Sequence, residues 1–296
     1  MPEGDTVWRQ AQALHRALAG RTVTRASLRF PQVAEVDLTG LPIHGALARG
    51  KNILLRVGDV TVHSHLKMDG LWQLYGQGTD GRWERWRQPA QQVRAIIEAS
   101  PRRDQTGLVA GSQPVQAVGF LLGLLDVFPS SAEESKLGHL GPDLLSPAWS
   151  DQLAQQAVTN LLARPDRPIG PALLDQGNLA GIGTIYRAET LFLTGIHPQT
   201  PVAAVPNLTA LVQTAHLLLD ANRNRPLRVT RTNDQPLWCY GRAGKPCYRC
   251  GAAIILEDLS EQGVGADRYA AGHLLTRPED TDRISFRCPN CQPLLG

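Results

Sequence analysis

LLDQGNLAGIGTIYRAETLF, residues 173–192, decides how the second half of the chain is built. Its start lies in a short helix expected over 168–176, and a second helix is expected over 184–193. Between them Gly181, Ile182 and Gly183 form a tight turn, with Asn178 just before it and Thr184 just after. Such a turn presents backbone N–H groups at the start of the next helix, a natural place for a phosphate. Further helices are expected over 151–163 and 208–222, with Pro201 and Pro206 punctuating the gap before the last. The helical character begins near Pro129, and cysteines take over from Cys239.

Downstream of these helices the chain turns basic. Arg223, Arg225, Arg228, Arg231, Arg242, Lys245 and Arg249 face the single acid Asp234. The net charge of the whole chain is only +3, so the concentration matters more than the sum. A local basic run fits phosphate contact, and a solvated cationic face reads the same way. The chain has five cysteines, all from position 239 onward. Cys247-Tyr-Arg-Cys250 and Cys288-Pro-Asn-Cys291 are paired thiols on two tight turns, each half of a tetrahedral zinc site. Four sulfur ligands leave no open position, so one structural zinc ion per chain is expected. The gap between the pairs is longer than zinc ribbons usually have, and a hairpin with a long tip would close it. Cys239 stands outside both pairs and reads as a free thiol.

Upstream the pattern is different. Val7, Ala11, Leu14 and Leu18 recur at helical spacing over 6–19, with Asp5 or Thr6 as the expected cap. Short alternating runs follow: VTRASLRF (23–30), VAEVDL (33–38), ILLRV (53–57) and VTVHSHL (60–66) predict strands. Residues 100–113 read as a flexible loop. With 296 residues the chain can hold more than one core. The layout expected is α+β: an N-terminal helix plus β-sandwich over 1–128, a helical domain over 129–236, and a metal-bound module over 237–296. No apolar run is long enough to span a bilayer, and the opening MPEGDTVWRQ has no apolar leader, so a cytoplasmic protein without membrane contact is expected.

Four segments, in order, resemble signatures of the formamidopyrimidine-DNA glycosylase/endonuclease VIII family: MPEGDT (1–6), NLAGIGTIYRAETLF (178–192), YGRAGKPC (240–247) and CPNCQ (288–292). The opening resembles actinobacterial endonuclease VIII-like members more than the 8-oxoguanine enzyme. The resemblance implies a helix–two-turns–helix in the helical domain and a C-terminal zinc finger. It also implies a monomer acting on damaged double-stranded DNA as a glycosylase and abasic-site lyase, with oxidised pyrimidines the preferred bases and oxidised purines the alternative.

Pro2 is then the nucleophile. Removal of Met1 exposes a secondary amine, and α-amino groups have a pKa of about 8, so a useful fraction is neutral near pH 7. Glu3 is the general acid/base; a carboxylate serving only the helix dipole is the plainer reading. Lys51, after Gly50, and Arg283, five residues before Cys288, are implied to position phosphates. Met68, in VHSHLKMDG, is implied to wedge into the gap left by an extruded nucleotide. Asn178, Gly183, Thr184, Tyr240 and Arg242 are implied to contact DNA. Two features depart from the family pattern. Thr184 stands where an asparagine is usual, and QAVGFLLGLL (116–125) has Phe120 but no arginine to fill the vacated stack, a task that the loop carrying Arg102 and Arg103 could take over. These departures favour the rival reading, a catalytically weak or inactive binder of damaged DNA on the same fold.

Overall fold

The computed structural model describes residues 2–102, 113–232, 234–259 and 284–294. It divides into two compact units, Met1–His139 and Leu140–Gly296.

The first unit opens with α1 (Gly4–Leu18), whose Val7, Ala11, Leu14 and Leu18 are buried as their spacing predicts. Full burial of each larger side chain contributes roughly 1.5–3 kcal/mol. The cap differs from expectation. Glu3 is the N-cap, in extended conformation, and its carbonyl accepts from Thr6 and Val7 N–H at 2.9 and 3.0 Å. Asp5 and Thr6 already lie inside the helix, because its start is set by Pro2 and Glu3.

Two four-stranded antiparallel sheets follow. β1 (Val23–Leu28), β6 (Val93–Ala99), β7 (Val115–Phe120) and β5 (Leu71–Gly76) form one, in that spatial order. β2 (Ile43–Arg49), β3 (Asn52–Val57), β4 (Val60–His65) and β8 (Leu124–Pro129) form the other. Helix α1 packs mainly on β2 and β3 and also touches β5 and β7. One apolar core joins α1 to both sheets through residues such as Leu14, Leu55, Val62 and Ile97. On β6 and β7, Ala95, Ile97 and Ala117 face that core, whereas Ile96, Val118 and Phe120 join a smaller cluster with Tyr75 and Trp86.

Two local expectations change. Residues 33–38 form no strand: a short 3-10 turn, Pro31–Val33, leads into a loop that plugs Val33 and Leu38 into the core. Their alternation reflects two anchors of a loop. Conversely, β2 has no clear alternation in the sequence, because Gly45 interrupts its pattern; a register shift between Ile43 and Gly45 absorbs that residue. A short helix, α2 (Glu133–Leu137), ends the unit, tied to β2 and β3 by Arg49–Glu134 (2.8 Å) and Arg56–Glu133 (2.6 Å).

The second unit is helical as expected: α3 (Asp151–Leu162), α4 (Ile169–Leu174), α5 (Thr184–Thr194) and α6 (Leu208–Asn222). Ser150 and Asn207 cap α3 and α6 through their side chains. α5 is central, buried from Thr184 to Phe192. Beyond it two strands bring the cysteine pairs together, as a hairpin would: β9 (Ile255–Asp258) pairs antiparallel with β10 (Ile284–Arg287), and the expected long tip lies outside the described residues.

Candidate active site and nucleic-acid interface

In the first unit Pro2 is half-buried and Glu3 fully buried at the start of α1. Lys51 sits in the two-residue connection between β2 and β3, where Arg49 pairs with Asn52. Gly50 adopts φ 59, the positive value a tight hairpin demands at its first residue, which explains the glycine before the lysine. The connection is braced from inside. Asn52 Nδ2 donates to Arg49 O at 3.1 Å, and Asn52 Oδ1 lies 2.8 Å from His63 Nε2. His63 is buried, edge-on to Phe128.

His65 pairs across the sheet with Asn52 and so stands beside the Lys51 turn. Burial, then Lys67, Lys51 and His63, push its pKa down to about 4, leaving it neutral at physiological pH. Its Nδ1 accepts Lys67 N–H at 2.9 Å, which places the proton of the neutral ring on Nε2. Met68 is half-buried in the turn that follows. Sequence reasoning gave neither Asn52 nor His65 a task.

Phe120 does not occupy the position the sequence suggested for stack filling. It is fully buried on the far face of β7, edge-on to Trp86. Arg102 is likewise committed: its guanidinium donates to Arg16 O and, at 3.3 Å, to Ala19 O, capping the carbonyl end of α1. Arg103 and most of the loop expected over 100–113 lie outside the described residues, as does Arg283.

In the second unit the turn before α5 is laced by amides. Asn178 Nδ2 donates to Ala172 O (2.9 Å), Asn160 Nδ2 donates to Gly177 O and Asn178 O, and Gln176 Oε1 accepts from Gly181 N (3.0 Å). Asn178 thus fixes the turn's shape. Gly183, extended, is the N-cap of α5, and Thr184 is buried at 3% exposure.

Glu189, on α5 and fully buried, organises the segment leading to the cysteines. Its carboxylate accepts from the backbone N–H of Trp238 (2.8 Å), Cys239 (2.9 Å) and Tyr240 (2.9 Å), and from Thr230 Oγ1. Tyr240 is held there, its ring 4.9 Å from that of Phe286. Arg242 is also mostly interior. It donates to Trp238 O (2.6 Å) and Pro246 O (2.8 Å), and its guanidinium lies 3.5 Å over the Tyr248 ring. Its donors serve the scaffold rather than an open surface.

The sulfurs of Cys247, Cys250, Cys288 and Cys291 lie within 4.8 Å of one another, with Cys250–Cys288 at 3.4 Å and Cys247–Cys291 at 3.9 Å. Four thiolates on a tetrahedral ion at ~2.3 Å are roughly 3.8 Å apart, so the set fits a metal ion. Cys239 is separate. Burial and then Glu189 push its thiol well up, and it donates to Ala188 O, as an inert thiol does.

Comparison with known proteins agrees with this geometry. Residues 1–106 match the formamidopyrimidine-DNA glycosylase N-terminal domain and residues 140–221 its H2TH domain. A probable endonuclease 8 2 of Streptomyces coelicolor is 43% identical over 99% of this chain and 94% of its own length. The DNA-(apurinic or apyrimidinic site) lyase Nei2 of Mycolicibacterium smegmatis is 36% identical over 99% of both chains. Among solved structures, Lactococcus lactis Fpg in complex with abasic-site DNA superposes with a TM-score of 0.70 at 20% identity, over 98% of this chain and 99% of that one. With its helix-led double sheet, its glycine turn before α5 and its four gathered thiols, this chain belongs to the formamidopyrimidine-DNA glycosylase/endonuclease 8 family.

Proposed function

We propose that this chain is a DNA glycosylase and abasic-site lyase that removes oxidised bases, pyrimidines by preference, from damaged double-stranded DNA. The observation that carries the reading is Pro2 followed by a fully buried Glu3 at the very start of α1. A secondary amine held by a helix start has little freedom to lose on attack, and the adjacent carboxylate lies in a low-dielectric setting suited to proton transfer.

With Met1 removed, the Pro2 nitrogen bonds to C1′ of the damaged nucleotide. The bond from C1′ to the base breaks, and the base leaves with a proton. Glu3 protonates the ring oxygen of the sugar, the ring opens, and the Pro2 nitrogen becomes an iminium. That cation is the electron sink for loss of a C2′ proton, and β-elimination then breaks the bond from C3′ to its phosphate oxygen. Hydrolysis of the iminium returns the free amine. Lys51 holds a phosphate beside the lesion, and Met68 enters the vacated stack. Arg283 is assigned a phosphate role from the resemblance alone.

Zinc suits the four-cysteine set, which is soft, anionic and filled by protein sulfur. It would be structural, supplying a fixed point for the segment from Trp238 to Cys250. The protein acts as a monomer in the bacterial cytoplasm on this reading.

The test is product analysis on duplexes carrying single damaged bases. Release of oxidised pyrimidines as free bases, with strand nicking, is the expected result. Nicking of pre-formed abasic sites without release of any base would reduce the protein to a lyase. Tight binding without either product would favour the inactive lesion binder that Thr184 brings into view.

A further inference from the structure

Two abutting turns in the first unit carry backbone strain. Among the described residues only Lys67 (φ 54) and Leu121 (φ 48) are non-glycine residues in the left-handed region. Such a conformation is uncommon for residues with a Cβ and is strained. The turns touch. A Cβ on Gly123 would collide with the Lys67 side chain, and one on Gly70 would meet Leu66 O and Leu121 O. Gly123 N also donates to His65 O at 3.0 Å. The aliphatic stem of Lys67 therefore lies across Gly123, and the residue's own N–H is pinned to His65.

A glycine at position 67 would adopt this backbone without strain. A lysine is there instead, it is exposed, and its ammonium makes no hydrogen bond or ion pair among the described residues. Asp69, two residues on, does not pair with it. The same corner holds Lys51: the residue after it, Asn52, pairs across the sheet with His65, the histidine that accepts the Lys67 N–H. Two lysines thus stand beside His65, and one of them directly precedes Met68.

We infer that Lys67 is a DNA-phosphate ligand of this site, held in a strained turn so that its ammonium grips the backbone beside the nucleotide that Met68 displaces. The inference rests on the DNA reading above and deepens it. It gives a cation to a corner whose partner segment, 116–125, lacks the arginine expected there.

The experiment measures binding of a duplex containing a tetrahydrofuran abasic analogue across a salt series, with thermal unfolding in parallel. Lys67→Gln should lose about three- to tenfold in affinity and reduce the salt slope by about one. Lys67→Arg should restore both. Lys67→Gly should lose affinity likewise but keep a Tm at or above wild type, because the strain is gone. Wild-type affinity and slope in Lys67→Gln and Lys67→Gly overturn the inference alone. So does a clear fall in Tm for Lys67→Gly, which would mean that the side chain is kept for its packing on Gly123. A wild-type protein that does not bind the duplex overturns the DNA reading itself.

Discussion

In the first unit Lys51 and Lys67 stand at strand ends, one in a glycine-led hairpin and one in a strained turn, and Lys67 is exposed. In the second, the arginines that the sequence marks as a basic run are largely built into the fold. Arg242 binds two carbonyls, Arg231 lies 3.9 Å over the Tyr248 ring, and Arg249 donates to Phe192 O while covering its ring at 4.6 Å. Arg223 pairs with Asp220 at 3.0 Å. Equal charge in a sequence therefore carries unequal meaning. A guanidinium has five donors and a flat face, so it can stack and hydrogen-bond at once inside a small module. An ammonium on a short turn serves best as a point charge.

Removing the metal should separate the two units most. Zinc at such sites contributes on the order of 10 kcal/mol to folding. Stripping it with a thiol-reactive mercurial and a chelator should release one zinc per chain and expose the amides of residues 237–259 and 284–294 to exchange. The sandwich core should stay protected. Loss of protection in both units together would contradict the division of labour.

Glu189→Ala comes next. It orphans three backbone N–H groups, that of Cys239 buried and those of Trp238 and Tyr240 partly buried, together with Thr230 Oγ1, so about 3–5 kcal/mol of stability should be lost, seen as a lowered denaturation midpoint. Arg242→Ala should cost less, about 1.5–3 kcal/mol, since two charge-assisted bonds and one stacking contact go. If Arg242 is scaffold, its loss of stability should exceed any change in the salt slope of DNA binding. The reverse ranking would move it to the DNA surface.

The smallest effect concerns His65. Its folded-state pKa, about 4, lies below the ordinary value near 6.5, so the fold favours the neutral ring. Its contribution to stability is complete above about pH 6.5 and is lost as pH falls toward 4. An NMR titration should find the ring neutral at pH 5.5. A midpoint near 6.5 would show that the Lys51–Lys67 corner is more open to water than its burial implies.

How much of this was legible depends on the range of each interaction. The two CxxC pairs and the helices α1, α3, α5 and α6 follow from local spacing, and the structure has them. The carboxylate of Glu189 was invisible because its partners lie 41–51 residues away, and nothing in TIYRAETLF marks the glutamate as interior. The burial of Phe120 is not legible either, because β7 is buried on both sides and alternation cannot say which side meets a ligand. The strand at 43–49 hid behind Gly45, and the strain at Lys67 is a backbone property that no side-chain pattern reports.

The claim that Pro2 is the nucleophile is tested most directly by borohydride reduction with abasic-site DNA, followed by peptide mass spectrometry of the cross-linked protein. The account predicts a stable adduct whose deoxyribose remnant is carried on the N-terminal peptide, at Pro2, with Met1 absent. An adduct mapped to a lysine such as Lys51 or Lys67, or full turnover by protein that retains Met1, would contradict it.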